Sequence, residues 1–335
     1  MKQPAFLKAG STIGMIAPSF GVTTEPYYSR YNASKSNLES LGFNIREGEN
    51  VHLDIGIFSS NTPEKRAKEF MDAYSDPNVD AIFSVGGGEL MVDILPYINF
   101  RKLRRLPPKW FVGYSDNTNL VFPLTTILDV VSVYGPCATT FYNNPLKYSE
   151  KDTIRLLSGE KKFKGYESYG KEINDPRNPF HRLNLDHKKT ILAVNYTNPF
   201  SGTLVGGCLD CLLTLCGTKF DHTKEFIKKH PEGLIWFLEA CDLSLLDVRR
   251  GLFQLSQAGW FKNVNGFIIG RPLAINEKAE GIDHYSAVTD ILSAFHVPIL
   301  LDADIGHLPL MLPIKSGARG SVSFKSGNMS LIYED

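Results

Sequence analysis

The chain has 335 residues, which at roughly 150 residues per domain suggests two domains. Its 43% hydrophobic content is ample for a sizeable core and excludes disorder as the main state. The 36 Lys and Arg balance 36 Asp and Glu, so no net field favours nucleic acid, an anionic membrane or an acidic polymer as partner. A small polar or zwitterionic ligand fits better. Five cysteines are an odd number in a long chain, which argues against a disulfide scaffold and for a reducing compartment. Met1–Lys8 lacks the apolar core and small-residue cleavage site of a secretory signal. No apolar run approaches the ~18 residues that cross a bilayer, so the expectation is a soluble, cytoplasmic protein.

Strand and helix signals alternate through the first half. Thr12–Ser19 is a short apolar run stopped by a Pro/Ser/Gly turn, as a buried parallel strand is, and a helix is expected near Tyr27–Leu41. Thr62-Pro63-Glu64 offers an N-cap with Pro in the first helical position. Ala67, Phe70, Met71 and Tyr74 then recur at helical spacing until Asp76-Pro77-Asn78. Asp80–Val85 runs as a strand into Gly86-Gly87-Gly88, and Trp110–Gly113 is the next strand, ending at Tyr114-Ser115-Asp116. Such an order implies an α/β fold, a doubly wound parallel sheet whose ligands sit beyond the carboxyl ends of its strands.

From about Lys147 to Lys189 the composition turns polar and Pro/Asn-rich, which marks a domain boundary or a long functional loop. The expected division is therefore 1–147, 148–189 and 190–335. Beyond it come strand-like Leu192–Asn195, a Gly206-Gly207 turn, a helix through Leu209–Leu215 and a buried strand Leu234–Leu238 ending in Glu239. Ser244 with Asp247 resembles a capping box for a helix ending near Gly259. Gly266–Gly270 and Pro298–Leu301 read as two further strands, so the second half is also mixed α/β.

Ser115 follows an apolar strand and precedes a helix-compatible stretch, the geometry of a nucleophile elbow. Asn117 stands where G-x-S-x-G has its second glycine, so a plain α/β-hydrolase does not fit, and Ser115-Asp116 could equally be an N-cap. Gly86-Gly87-Gly88 could be an oxyanion nest, a phosphate loop or a turn; no dinucleotide or P-loop motif surrounds it. Among eight histidines, His307 is the best base, in a Gly/Pro-punctuated loop after a buried strand. Glu239, closing a core strand, needs a partner: a histidine, which it would orient, or an arginine such as Arg249 or Arg271, unless it is solvated. Cys208-Leu209-Asp210-Cys211 is formally C-x-x-C but lies, with Cys216, in an apolar helical stretch where cysteine acts as a small hydrophobe. Asp302 and Asp304 could ligate a metal, without a His/Glu cluster to support it.

Taken together, these residues resemble the LD-carboxypeptidase family of serine peptidases, which includes the microcin C self-immunity proteins. The resemblance runs through Ile13–Ser19, Gly87-Gly88, Ile94-Leu95-Pro96, Gly113-Tyr114-Ser115-Asp116 and Tyr134-Gly135-Pro136. It continues through Gly202–Leu209, Glu239, Gly270-Arg271-Pro272 and Asp304-Ile305-Gly306-His307. It implies a Ser115–Glu239–His307 triad, oxyanion donors at the backbone N–H groups of Gly87, Gly88 and Asp116, and a C-terminal domain built partly as a β-barrel. It also implies a site in the groove between domains, homodimers, and no metal or organic cofactor. The expected reaction is release of the terminal D-alanine from muramoyl tetrapeptides across an L,D bond. The alternative is immunity-type hydrolysis of a peptidyl- or aminoacyl-nucleotide amide, where a loop tryptophan stacks on the base. Length and the long loop resemble that second branch, yet Trp occurs here only at 110, 236 and 260, and the loop offers Tyr166, Tyr169 and Phe180 instead. A non-catalytic cleft that binds peptide or sugar is the rival from another class.

Overall fold

The apolar run that opens the chain is a buried strand, β1 (Thr12–Ile16), followed by helix α1 (Tyr27–Ser40) and strand β2 (Asn44–Glu47). A computed structural model describes residues 1–334 apart from 172–174, 182, 274 and 276. Helix α2 (Pro63–Ser75) buries Ala67, Phe70, Met71 and Tyr74, as the spacing predicts, although Thr62 makes no side-chain cap. Buried Arg66 holds the start of this helix instead: its guanidinium donates to the Asn61 carbonyl at 2.9 Å and to the Pro18 carbonyl, just past β1, at 3.0 Å. Then come β3 (Ala81–Ser84), α3 (Phe100–Leu103), β4 (Trp110–Gly113), α4 (Thr118–Thr126) and β5 (Ser132–Tyr134). β2, β1, β3, β4 and β5 lie side by side, all parallel. Every residue of β3, β4 and β5 is buried, as expected of strands covered on both faces.

Residues 148–189, expected as a boundary or loop, carry regular structure. Helix α5 (Tyr148–Leu157) opens the segment, and β6 (Lys162–Lys164), β7 (Ser168–Lys171) and β8 (Asn184–Lys188) follow, β7 and β8 pairing antiparallel. Part of the polar stretch, residues 172–174 and 182, lies outside the described residues.

The second half begins with β9 (Leu192–Val194) and β10 (Phe200–Cys208). The expected turn at Gly206-Gly207 is not one. Both residues lie within β10, and a Cβ at Gly206 would sit 1.8 Å from the Phe237 carbonyl oxygen, so close strand approach explains the glycine there. Helices α6 (Leu209–Leu215) and α7 (Thr223–Lys229) lead to β11 (Leu234–Glu239). Helix α8 (Leu245–Gln257) is capped by the Ser244 hydroxyl, which accepts from the Asp247 N–H at 3.3 Å. Next are β12 (Val264–Gly270), α9 (His284–Leu292), β13 (Ile299–Ala303), β14 (Ile314–Ser316), β15 (Arg319–Lys325) and β16 (Asn328–Tyr333). The second sheet runs β6-β16-β15-β10-β11-β12-β13-β9, with β10 to β13 parallel and the flanks antiparallel. Its edge strands β6 and β9 do not pair with each other, so the sheet is open and no closed barrel forms.

Strands cross between the sheets. β14 pairs with β5 at the edge of the first sheet, while β6 joins the second. Helix α4 lies against β10, where Thr118 Oγ1 accepts the Cys208 N–H at 3.0 Å. Phe122 of α4 stacks on Trp260 with centroids 5.1 Å apart, and Trp260 on Trp236 of β11 at 5.6 Å. Rings of this size carry much of the energy of any packed contact; truncating one costs about 3–5 kcal/mol. This aromatic layer fixes the end of β4 relative to the end of β11.

Candidate active site

Ser115 sits on a sharp turn between β4 and α4, with a φ of 63°. A left-handed conformation at a non-glycine residue costs about 1–3 kcal/mol and persists only where neighbours over-determine it. They do so here. The Ser115 N–H donates to the Tyr134 hydroxyl at 3.1 Å. Asn117 Nδ2 donates to the carbonyls of Gly86 and Tyr114, each at 3.0 Å. The Asp116 carboxylate, 3% exposed, accepts from Ser19 Oγ at 2.5 Å and from the Met91 N–H and Asn119 Nδ2 at 2.9 Å. Burial pushes the Asp116 carboxyl above its ordinary pKa despite these donors. Asn117, standing where a plain hydrolase elbow has glycine, thus ties the turn to the Gly86 loop.

His307 reaches Ser115 from the other sheet. Ser115 Oγ lies 2.9 Å from His307 Nε2, and His307 Nδ1 lies 2.9 Å from Glu239 Oε2. With a carboxylate on one side, Nδ1 carries the hydrogen and donates to it, which leaves Nε2 to accept from the serine hydroxyl. Glu239 is 2% exposed at the end of β11, and its other oxygen, Oε1, accepts from the Tyr134 hydroxyl. Burial alone would raise the Glu239 pKa. The charge on His307, with hydrogen bonds from His307 and Tyr134, outweighs burial and holds it below the ordinary range. For His307 burial likewise opposes charge, but the facing Glu239 carboxylate, which its Nδ1 meets, lifts its pKa well above 6.5.

Gly306 makes this approach possible. Its φ is 105°, and a Cβ there would sit 2.7 Å from Glu239 Oε2. The His307 loop is anchored by Asp304, whose side chain is fully buried between Lys189 Nζ at 2.5 Å and Arg271 Nη1 at 2.8 Å. Asp304 Oδ2 also accepts the Tyr166 N–H at 2.8 Å. Arg271 is therefore occupied by Asp304, and Arg249 by Asp290; neither expected arginine partner takes Glu239. Asp302 accepts from the Tyr285 hydroxyl at 2.5 Å. Among the described residues no cluster of His, Cys, Asp or Glu could hold a metal ion, so Asp302, Asp304 and His307 do not form one.

The glycine run lies beside the serine. A Cβ on Gly87 would be 3.3 Å from Ser115 Cβ and 3.5 Å from its Oγ. Among the described residues, no acceptor takes the N–H of Gly87, Gly88 or Asp116. On the His307 side, a pocket is walled by Tyr114, Pro136, Lys147, Gly306, His307 and Met311, among others. The C-x-x-C cysteines are packing residues with free thiols. Cys208 Sγ donates to Asp210 at 3.3 Å and Cys211 Sγ to the Ser115 carbonyl at 3.6 Å. The hydrogen bond to Cys211, with burial, pushes the Cys208 thiol up. Sequence reasoning placed Ser115, Glu239 and His307 but missed what Tyr134, Asp116 and Asp304 do. Tyr134-Gly135-Pro136 was visible as a motif, whereas nothing local shows that its hydroxyl bridges two distant residues.

Models of the LD-carboxypeptidase N-terminal and C-terminal domains match residues 13–135 and 201–322. A putative carboxypeptidase of Vibrio cholerae is 26% identical, covering 97% of this chain and 96% of that protein. The microcin C7 self-immunity protein MccF of Escherichia coli is 24% identical, covering 97% and 94%. The murein tetrapeptide carboxypeptidase of Pseudomonas aeruginosa is 22% identical, covering 88% and 87%. The crystal structure of an MccF-like protein from Bacillus anthracis shares the fold over 100% of both chains, at a TM-score of 0.85 and 24% identity. With both halves matched in order across most of its length, the chain belongs to the LD-carboxypeptidase family of serine peptidases.

Proposed function

We propose that this protein is a serine carboxypeptidase that releases the terminal D-alanine from muramoyl tetrapeptides, with Ser115 as nucleophile, His307 as general base and acid, and Glu239 orienting His307. The observation that carries the reading is the unbroken run of 2.9 Å contacts from Ser115 Oγ through His307 to Glu239. As Ser115 Oγ attacks the scissile carbonyl carbon, its proton passes to His307 Nε2 and Glu239 stabilises the imidazolium. His307 then gives that proton to the departing amine as the C–N bond breaks, leaving an ester on Ser115. Water adds to the ester, its proton going to His307 and then back to Ser115 Oγ. The N–H groups of Gly87, Gly88 and Asp116 take the developing oxyanion, each donor contributing roughly 3–4 kcal/mol. Residues 1–147 supply the nucleophile and 190–335 the Glu and His, with 148–189 between. The proposal takes the enzyme to be a cytoplasmic homodimer needing no metal or organic cofactor; sedimentation and activity after chelation are its checks.

The relationship to murein tetrapeptide carboxypeptidase supports a peptide substrate, and that to MccF supports the second reading, a peptidyl- or aminoacyl-nucleotide amidase. The buried tryptophans favour the first. Trp110, Trp236 and Trp260 are at most 2% exposed and cannot stack on a base. Tyr166 is buried, and the Tyr169 ring packs against the Arg271 guanidinium at 4.5 Å and stacks on His187 at 5.1 Å. Phe180 is the exposed one of the three loop aromatics. Incubation with muramoyl tetrapeptide and, separately, with an aminoacyl sulfamoyl adenosine, followed by mass analysis, decides between them: the proposal expects the tripeptide, and cleavage of the nucleotide alone overturns it.

A further inference from the structure

A carboxypeptidase must recognise the free end of its substrate, and the pocket beside His307 holds a cation suited to that. In a serine peptidase the imidazole stands between the nucleophile and the departing nitrogen, because it hands that nitrogen its proton. A pocket walled by His307 and Gly306 but not by Gly87 or Gly88 is therefore on the leaving-group side. Lys147, the residue preceding α5, is half-buried in this pocket. Its ammonium contacts the Tyr142 hydroxyl at 3.3 Å and lies 4.8 Å from the centre of the Tyr142 ring. Both partners are neutral, and no carboxylate among the described residues pairs with it. The carboxylate in the same wall, Glu150, is 4% exposed. The remaining wall combines apolar Pro136, Pro309, Leu310 and Met311 with Thr140 and Ser149.

We infer that Lys147 binds the α-carboxylate of the residue that is released, and so makes the enzyme an exopeptidase. This rests on the peptidase reading above. A charge-assisted contact of this kind discriminates an acid from its uncharged amide by roughly 10–100-fold. Because the carboxylate is unchanged between ground and transition states, the effect falls mainly on KM.

The test compares kcat/KM for muramoyl tetrapeptide with a free C-terminal carboxylate and for the same peptide as its C-terminal carboxamide. The wild type is expected to prefer the acid by roughly 10–100-fold. Lys147→Met should lose most of that preference through a higher KM for the acid, and Lys147→Arg, which keeps the charge, should retain it. A wild-type enzyme indifferent to the two forms overturns the inference whether or not Lys147→Met folds, and so does a Lys147→Met enzyme that keeps the preference. A wild type that turns over neither peptide overturns the peptidase reading and this inference with it.

Discussion

The Tyr134 hydroxyl donates to Glu239 Oε1 while accepting the Ser115 N–H, so one phenol on the last parallel strand of the first sheet ties the strained serine to the carboxylate of the second. Burial first, and then the neighbouring Glu239 charge, push its pKa well above 10, which keeps it a donor throughout the working range. Tyr134→Phe leaves a buried carboxylate short of one donor and a buried N–H without its acceptor, a loss of about 1–3 kcal/mol. We expect a melting temperature lower by several degrees and a kcat roughly 10-fold lower, read by calorimetry and steady-state kinetics.

The pH profile follows from the His307–Glu239 pair. Activity needs neutral His307, and its pKa is raised, so kcat/KM should rise with pH along a limb centred above the ordinary histidine value of about 6.5. Glu239→Gln removes the charge that raises it, and the limb should move toward acid as the rate falls. The stability signs are opposite for the two partners. His307, raised in the folded state, contributes stability below its unfolded pKa and loses it as pH rises through the folded value. Glu239, lowered, contributes above its unfolded pKa and loses it as pH falls through the folded value. Thermal stability should therefore peak between these limits.

Gly306→Ala places a methyl group against the Glu239 carboxylate in a backbone region that L-residues disfavour. Gly281, at φ 83° with nothing within 4 Å of its Cβ position, provides the control. Gly281→Ala should cost only the backbone term, about 1 kcal/mol, with kcat retained. Gly306→Ala should lose more stability and lower kcat at least 10-fold.

Asp304→Asn leaves Lys189 and Arg271 buried without their anion. Breaking one side of such a cluster costs about 3–5 kcal/mol. Chemical denaturation should show a loss of this size, whereas a variant within about 0.5 kcal/mol of wild type would mean that the loop holding His307 is anchored otherwise.

Much of this architecture was legible in the sequence, for local reasons. The apolar runs at Thr12–Ile16, Ala81–Ser84 and Leu234–Glu239 are strands because they are buried on both faces, and α2 announced itself by spacing and Pro63. Ser115 was marked by its place after β4. What escaped depends on distant neighbours. Gly206-Gly207 resembled a turn because its reason, the Phe237 carbonyl pressed against Gly206, is 31 residues away in the chain. Residues 148–189 read as a loop because polar edge strands such as β8, mostly exposed, carry no apolar signature. The pairing of β14 with β5 and of β6 with β16 is likewise invisible to any local pattern. The pairing of Glu239 with His307 rather than Arg271 was settled by Asp304, whose own role only the assembled site reveals.

Everything proposed for the reaction requires Ser115 to supply the attacking oxygen, and the rate of muramoyl tripeptide formation by wild type and Ser115→Ala, prepared side by side and matched for melting temperature, tests it. Loss of the hydroxyl should lower kcat by about 10⁴-fold or more, leaving product near background. A Ser115→Ala protein that still releases D-alanine at a rate close to wild type would contradict it.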